Sequence, residues 1–255
     1  MNKQGLLLCA KYSVAPNFFG YCGPDENKSL TDHLKEGIAD QEVQSILSEF
    51  ETLYLNLTLI AKENNISDKF DKKVVEAYWL GNQLLQHISS KDYSYLLDEK
   101  FHLAKKLGNK GLNILTHKLN TQKIYPHHSF HVFNIFKRTG NDPSFHTLRT
   151  MDECRIGWGR VIKSQISKFK SQNGKTDVIV MVETKPLLLK DNKLMLGNAI
   201  KKESKINYKD TLLCVDLKQG DWVSFHWGHV CDKLTLSQVK NLKYYTQKAI
   251  DFYNE

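Results

Sequence analysis

Arginine is scarce in this chain: four residues, Arg138, Arg149, Arg155 and Arg160, among 36 basic side chains. The net charge of +8 is therefore carried by dispersed lysines. Without a clustered patch or a recognisable binding motif, this excludes a nucleic-acid partner. No apolar run approaches the length needed to cross a bilayer, which excludes a membrane span. The segment Leu6-Leu7-Leu8-Cys9-Ala10 is too short an apolar core for a secretory signal. The five cysteines, Cys9, Cys22, Cys154, Cys214 and Cys231, are odd in number and lack CxxC spacing. That excludes a disulfide framework and fits a reduced, cytoplasmic protein. Disorder is excluded too, because 41% hydrophobic and 25% charged residues are ordinary globular values. A chain of 255 residues suffices for one large domain or two small ones.

The first half carries helical spacing. Between Gln41 and Asn64, the residues Val43, Ile46, Leu47, Phe50, Leu53, Tyr54, Leu57 and Ile60 recur by threes and fours, which predicts an amphipathic helix. Phe70 to Ile88 repeats the pattern, with Asp68 or Asp71 as cap. Leu96 to Leu119 adds a stripe broken at Gly108 and Gly111. A helix over Ser29–Asp40 precedes these. Before it, Gly20-Tyr21-Cys22-Gly23-Pro24-Asp25 forms a constrained loop on which Cys22 is a candidate ligand or reactive thiol.

The turn-rich run Arg138-Thr139-Gly140-Asn141-Asp142-Pro143 is the candidate linker. Beyond it the texture turns to alternation. Val178–Val182 is a strand, Leu187–Leu189 and Lys193–Leu196 flank an Asp191-Asn192 turn, and Leu212–Leu217 leads to Gly220. Short strands separated by turns predict a small β-barrel. Ser237 to Tyr253 reads as a closing helix capped by Thr235 or Ser237. The expected fold is α+β, with a helical domain over residues 1–140 and a barrel with its C-terminal helix over residues 150–255.

Three places carry chemistry. In Tyr125-Pro126-His127-His128-Ser129-Phe130-His131, three histidines fall within five residues. On a helix His127 and His131 share a face at the i,i+4 spacing that suits two metal ligands, and on a strand His127, Ser129 and His131 do. Met151-Asp152-Glu153-Cys154-Arg155-Ile156-Gly157-Trp158-Gly159-Arg160-Val161 places a cysteine where a strand is expected to begin. In Gly220-Asp221-Trp222-Val223-Ser224-Phe225-His226-Trp227-Gly228, His226 falls mid-strand, and Gly228 is expected to admit a close neighbour.

Together Cys-x4-Gly-x-Val at Cys154 and Gly-Asp-x-Val-x-x-His-x-Gly at His226, with Leu234 beyond, resemble the HypC/HupF family, the small chaperones of NiFe-hydrogenase maturation. The likeness covers about the last hundred residues. It implies an OB-like barrel with a C-terminal helix. It also implies a role as carrier of iron bearing cyanide and carbon monoxide, with a HypD-like maturation factor or the hydrogenase large subunit as partner. Carried over by position, Cys154 is the iron ligand and His226 its partner, with Asp152, Glu153, Trp158 and Trp227 as a shielding layer. The sequence departs from the family in three ways: Cys154 is internal rather than N-terminal, Trp158 replaces a usual proline, and the Cys154–His226 gap is longer. The extra length is expected as a hairpin or loop within Lys190–Lys209.

Two other classes stay open. In one, His127, His128, His131, Cys154, His226 and His229 converge at the junction of the two parts and hold zinc or iron in an enzyme, or Cys154 and His226 act as nucleophile and base. In the other, the chain is a pure interaction module.

Overall fold

The computed structural model describes residues 1–24, 27–99, 117–119, 121–135, 147–170, 176–208 and 211–255. The expected linker at Arg138–Pro143 and most of the Leu96–Leu119 stripe lie outside these. The fold is α+β. Helix α1 spans Lys3–Phe18, α2 Asn27–Glu36, α3 Gln41–Ser48, α4 Glu51–Glu63, α5 Lys72–Trp79 and α6 Ser90–Glu99. A short helix α7, His128–Phe130, runs into a π turn over His131–Ile135, and α8 covers Leu148–Cys154. Strands β1 Gly157–Lys170, β2 Thr176–Thr184, β3 Leu187–Lys190, β4 Lys193–Leu196, β5 Ile200–Lys205, β6 Asn207–Tyr208, β7 Thr211–Leu212, β8 Trp222–His226 and β9 His229–Leu234 follow. The chain closes with α9, Leu236–Asn254.

Helix α1 shows little amphipathic periodicity because it is buried on nearly every side, from Leu6, Leu8 and Cys9 through Tyr12, Val14 and Asn17. It packs against α5 and the hairpin of β8 and β9. The helix expected over Gln41–Asn64 is two helices. Phe50 interrupts it, buried with its backbone out of the helical region at φ −74° and ψ 81°. Phe70–Ile88 likewise becomes α5, capped by Asp71, and a 3-10 turn over Gln83–His87.

Five strands close on themselves in the order β1-β2-β5-β9-β8, all neighbours antiparallel except the parallel pair β5 and β9. Val161, Val180, Val182, Val223, Phe225 and Val230 fill a core between these strands. The stretch Lys190–Lys209 is not simply an added loop, since it supplies the barrel strand β5. The β3–β4 hairpin forms a separate two-stranded sheet, and its Asp191-Asn192 turn has both residues at positive φ. Asn254 at the end of α9 clamps that hairpin with two hydrogen bonds to the Leu194 backbone.

A second, larger core runs from α1 through α5 and α7 to Trp158, Cys231, Leu242 and Phe252. Helix α9 starts on a Thr235–Gln238 capping box. It lies on the His127–Ile135 segment through Ser129–Thr246, Asn134 to the Ala249 carbonyl, and the Phe130–Phe252 ring pair. The helical half and the far end of the chain thus share one core. Among the described residues no helix is long and apolar enough to cross a membrane.

Candidate metal centre

Three elements deliver three side chains to one buried point. Cys154 is the last residue of α8, not the first of a strand, because the chain turns extended only at Arg155 and pairs as β1 from Gly157. His226 is the last residue of β8 rather than mid-strand. Trp227 and Gly228, at φ 50° and 75°, form the two-residue turn that pairs His226 with His229. The positive φ is what Gly228 provides, since no atom lies within 4 Å of where its Cβ would be. His128 opens α7, behind Pro126 and the N-cap His127.

The ligand-capable atoms of His128, Cys154 and His226 lie within 4.8 Å of one another, and all three residues are buried. The alternation of β8 explains how His226 reaches them. Val223 and Phe225 face the barrel core, while Ser224 and His226 meet α1. Tyr12 of α1 grips both: its hydroxyl pairs with Ser224 Oγ at 2.7 Å, and its carbonyl accepts from His226 Nδ1 at 2.7 Å. That bond assigns the proton of His226 to Nδ1 and leaves Nε2 as a bare lone pair. Nε2 is buried without a hydrogen-bond partner. A buried lone pair without a donor is a position that a ligand or cation can fill.

His128 is held at both nitrogens. Its Nε2 lies 2.9 Å from the Cys154 carbonyl, the position of a donor, so its Nδ1 accepts from the Tyr78 hydroxyl at 3.2 Å. Metal ligation exchanges one of these bonds. Trp79 forms a wall, its ring 4.6 Å from His128 and 5.7 Å from His226. The Trp227 indole N–H is directed toward the Cys154 sulfur without completing a hydrogen bond.

Burial keeps every member uncharged. It pushes the Cys154 thiol up, His226 down to about 4 and His128 well below its usual value. A thiol so held is a poor nucleophile, which weighs against Cys154 and His226 acting as nucleophile and base. A metal ion reverses this, since a thiolate and two imidazoles suit zinc, ferrous iron or copper.

The remaining expected residues sit elsewhere. His127 caps α7, taking the Ser129 N–H at Nδ1 and stacking on Tyr245. His131 begins the π turn, buried but outside the trio. His229 bonds the Trp227 carbonyl and lies against Tyr208. Asp152 binds Arg155 and the Leu187 N–H, Trp158 lies against the Arg155 guanidinium, and Glu153 pairs with Lys202. Of the four residues expected to shield the site, Trp227 is the one whose side chain faces the Cys154 sulfur. Tyr12, Tyr78 and Trp79 were not singled out from the sequence. On stripes of buried residues they look like ordinary core.

Acid should expose this arrangement. His127, pushed to about 3, His128 and His226 refuse protons in the folded chain because of burial. The unfolded chain binds them near pH 6.5, so below that value the unfolded state holds more protons and stability falls with pH. The expected slope between roughly pH 6.5 and 4 is about 1 kcal/mol per pH unit for each imidazole. Urea midpoints measured with chelator at pH 7 and pH 5 check it, and equal midpoints would refute the neutral, buried assignment.

A family model described as "Family of unknown function (DUF6390)" matches residues 1–255. No curated protein and no solved structure matches the chain.

Proposed function

The chain belongs to DUF6390, a family of unknown function, and we propose that it is a metallocentre-handling protein that binds iron through Cys154 with His226, in the manner of a HypC-like carrier. The observation that carries this reading is the buried convergence of His128, Cys154 and His226, with ligand atoms within 4.8 Å. Two residues singled out by short motifs 72 positions apart meet there, joined by a third ligand from the histidine run.

Strand order supports the same reading. Counting only the barrel strands, the order is 1-2-3-5-4 closing on 1, with the third and fifth parallel, as in an OB-like barrel. The helical half then acts as a built-in cover, because α1 and α5 supply Tyr12, Tyr78 and Trp79 around the trio. The cargo is an iron unit with cyanide and carbon monoxide ligands. The partners are a HypD-like maturation factor and the hydrogenase large subunit, in a cytoplasmic setting.

The test is an infrared spectrum with metal analysis of protein purified without oxygen from its native host. Cyanide and carbon monoxide stretching bands that disappear in Cys154→Ala are the expected result. Stoichiometric metal without those bands would sink the carrier reading and favour the second one, a metal enzyme with zinc or iron on the same trio. That alternative draws on His128, a third protein ligand that the Cys/His pair of the carrier family does not include.

A further inference from the structure

The two imidazoles of the trio are held by groups of different kinds. His226 gives its Nδ1 proton to the Tyr12 carbonyl at 2.7 Å. A carbonyl only accepts, so this ring is fixed with its proton on Nδ1 and its Nε2 lone pair available to an ion. His128 meets a hydroxyl instead, that of Tyr78, 3.2 Å from its Nδ1. A hydroxyl both donates and accepts, and it turns about its C–O bond to suit either role.

The nitrogen of His128 in contact with Cys154 is Nε2, 2.9 Å from the Cys154 carbonyl. Nδ1 is taken by Tyr78 of α5, a residue only 2% exposed, whose ring lies edge-on to the imidazole at 5.6 Å. The His128 ring also stands 5.2 Å from that of His226 and nearly perpendicular to it. Placed this way, the ring is blocked as a ligand. Its Nε2 proton is given to the carbonyl, and a nitrogen that bears a proton has no lone pair to offer. His226 is ready for an ion and His128 is one proton shift short of it.

We propose that Tyr78 is a positioning residue whose hydroxyl reverses its hydrogen bond when an ion binds, so that His128 carries its proton on Nδ1 and offers Nε2 as the third ligand beside Cys154 and His226. This rests on the metal-binding reading above. The ring keeps one proton throughout. Nε2 releases its proton to solvent, Nδ1 takes one from solvent, and the net release is the thiol proton of Cys154, which a sulfur–metal bond replaces. The bond from Nε2 to the Cys154 carbonyl is given up, and the bond to Tyr78 is kept with donor and acceptor exchanged. A cation on Nε2 draws charge from the ring, so the bond that Nδ1 donates in the loaded protein is stronger than the one it accepts in the empty protein. Tyr78 therefore favours the loaded state.

Two-bond proton–nitrogen correlation spectra of the reduced full-length protein, nitrogen-15 labelled at its ten histidines, read which nitrogen of each ring is protonated. His128→Gln and His226→Gln identify the two signals by their loss. Without metal, His226 is expected as the Nδ1–H form and His128 as the Nε2–H form. One equivalent of zinc should leave His226 in its form and convert His128 to the Nδ1–H form. A His128 protonated at Nδ1 before zinc is added, or still protonated at Nε2 while zinc shifts His226, would overturn the proposal and leave metal binding by Cys154 and His226 standing. Zinc that moves neither ring, or fails to bind, would overturn the metal reading itself. Tyr78→Phe keeps the ring and its packing, as circular dichroism verifies, and should weaken zinc affinity by about tenfold. Wild-type affinity in that variant would equally overturn the role of Tyr78, and the wild-type spectra decide the matter if the variant does not fold.

Discussion

Alanine at His226 or His128 should lower metal affinity by at least about 100-fold, close to 3 kcal/mol, whereas alanine at His127 or His131 should leave one equivalent of metal bound. The contrast follows from geometry. His226 offers an unpartnered lone pair and His128 stands within reach of the same point, while His127 uses Nδ1 to cap α7 and lies outside the trio. His127→Ala should cost about 1 kcal/mol of stability as a lost cap, without altering metal content. Zinc and iron can be quantified by competition with a chromophoric chelator, with circular dichroism to verify each fold. If His127→Ala or His131→Ala released the metal and His226→Ala kept it, the binding site would lie in the histidine run, and the assignment to His226 and His128 would fall.

Arg155→Ala should destabilise the protein by about 3 kcal/mol, more than any exposed substitution. The guanidinium is 2% exposed, donates to Asp152 at 2.8 Å and to the Lys185 carbonyl at 2.7 Å, and lies over Trp158. Asp152 in turn accepts the Leu187 N–H, so one ion pair joins the end of α8 to the start of β3. Removing the arginine leaves a carboxylate, a carbonyl and a void. Asp152 keeps 22% of its side-chain surface, and its rehydration holds the cost at the lower end of the range for a broken buried pair. Arg155→Met, which refills the volume, should cost less. Urea denaturation measures both, and a loss under about 1 kcal/mol for the alanine variant would show that the pair is not a structural tie. Because Cys154 adjoins Arg155, metal affinity should weaken in parallel as α8 loosens.

Local pattern accounts for much of the architecture. The Asp71 cap, the Thr235 start of the last helix and the Asp191-Asn192 turn are short-range features, set by side chains that bond their own backbone within a few residues. The α+β order follows from the change of hydrophobic period between the two halves. Cys154 and His226 were singled out by the resemblance of their surroundings to a family's two short motifs, and the fold brings the two side chains together.

What local pattern could not decide were the partners. His127 and His131 have the spacing of a ligand pair, but that inference assumes a continuing helix. The segment makes a three-residue helix and then a π turn, and tertiary packing selects His128 instead. Helix α1 gave no periodic signal because burial on all sides erases the contrast between faces. Yet its Tyr12 carbonyl orients His226, 214 residues away in the chain. Composition and spacing by themselves determined the change from helical to stranded texture along the chain. Only the folded core decided that His128 joins Cys154 and His226 and that aromatic rings from α1 and α5 enclose them, because contacts between distant segments depend on packing, which no window of sequence contains.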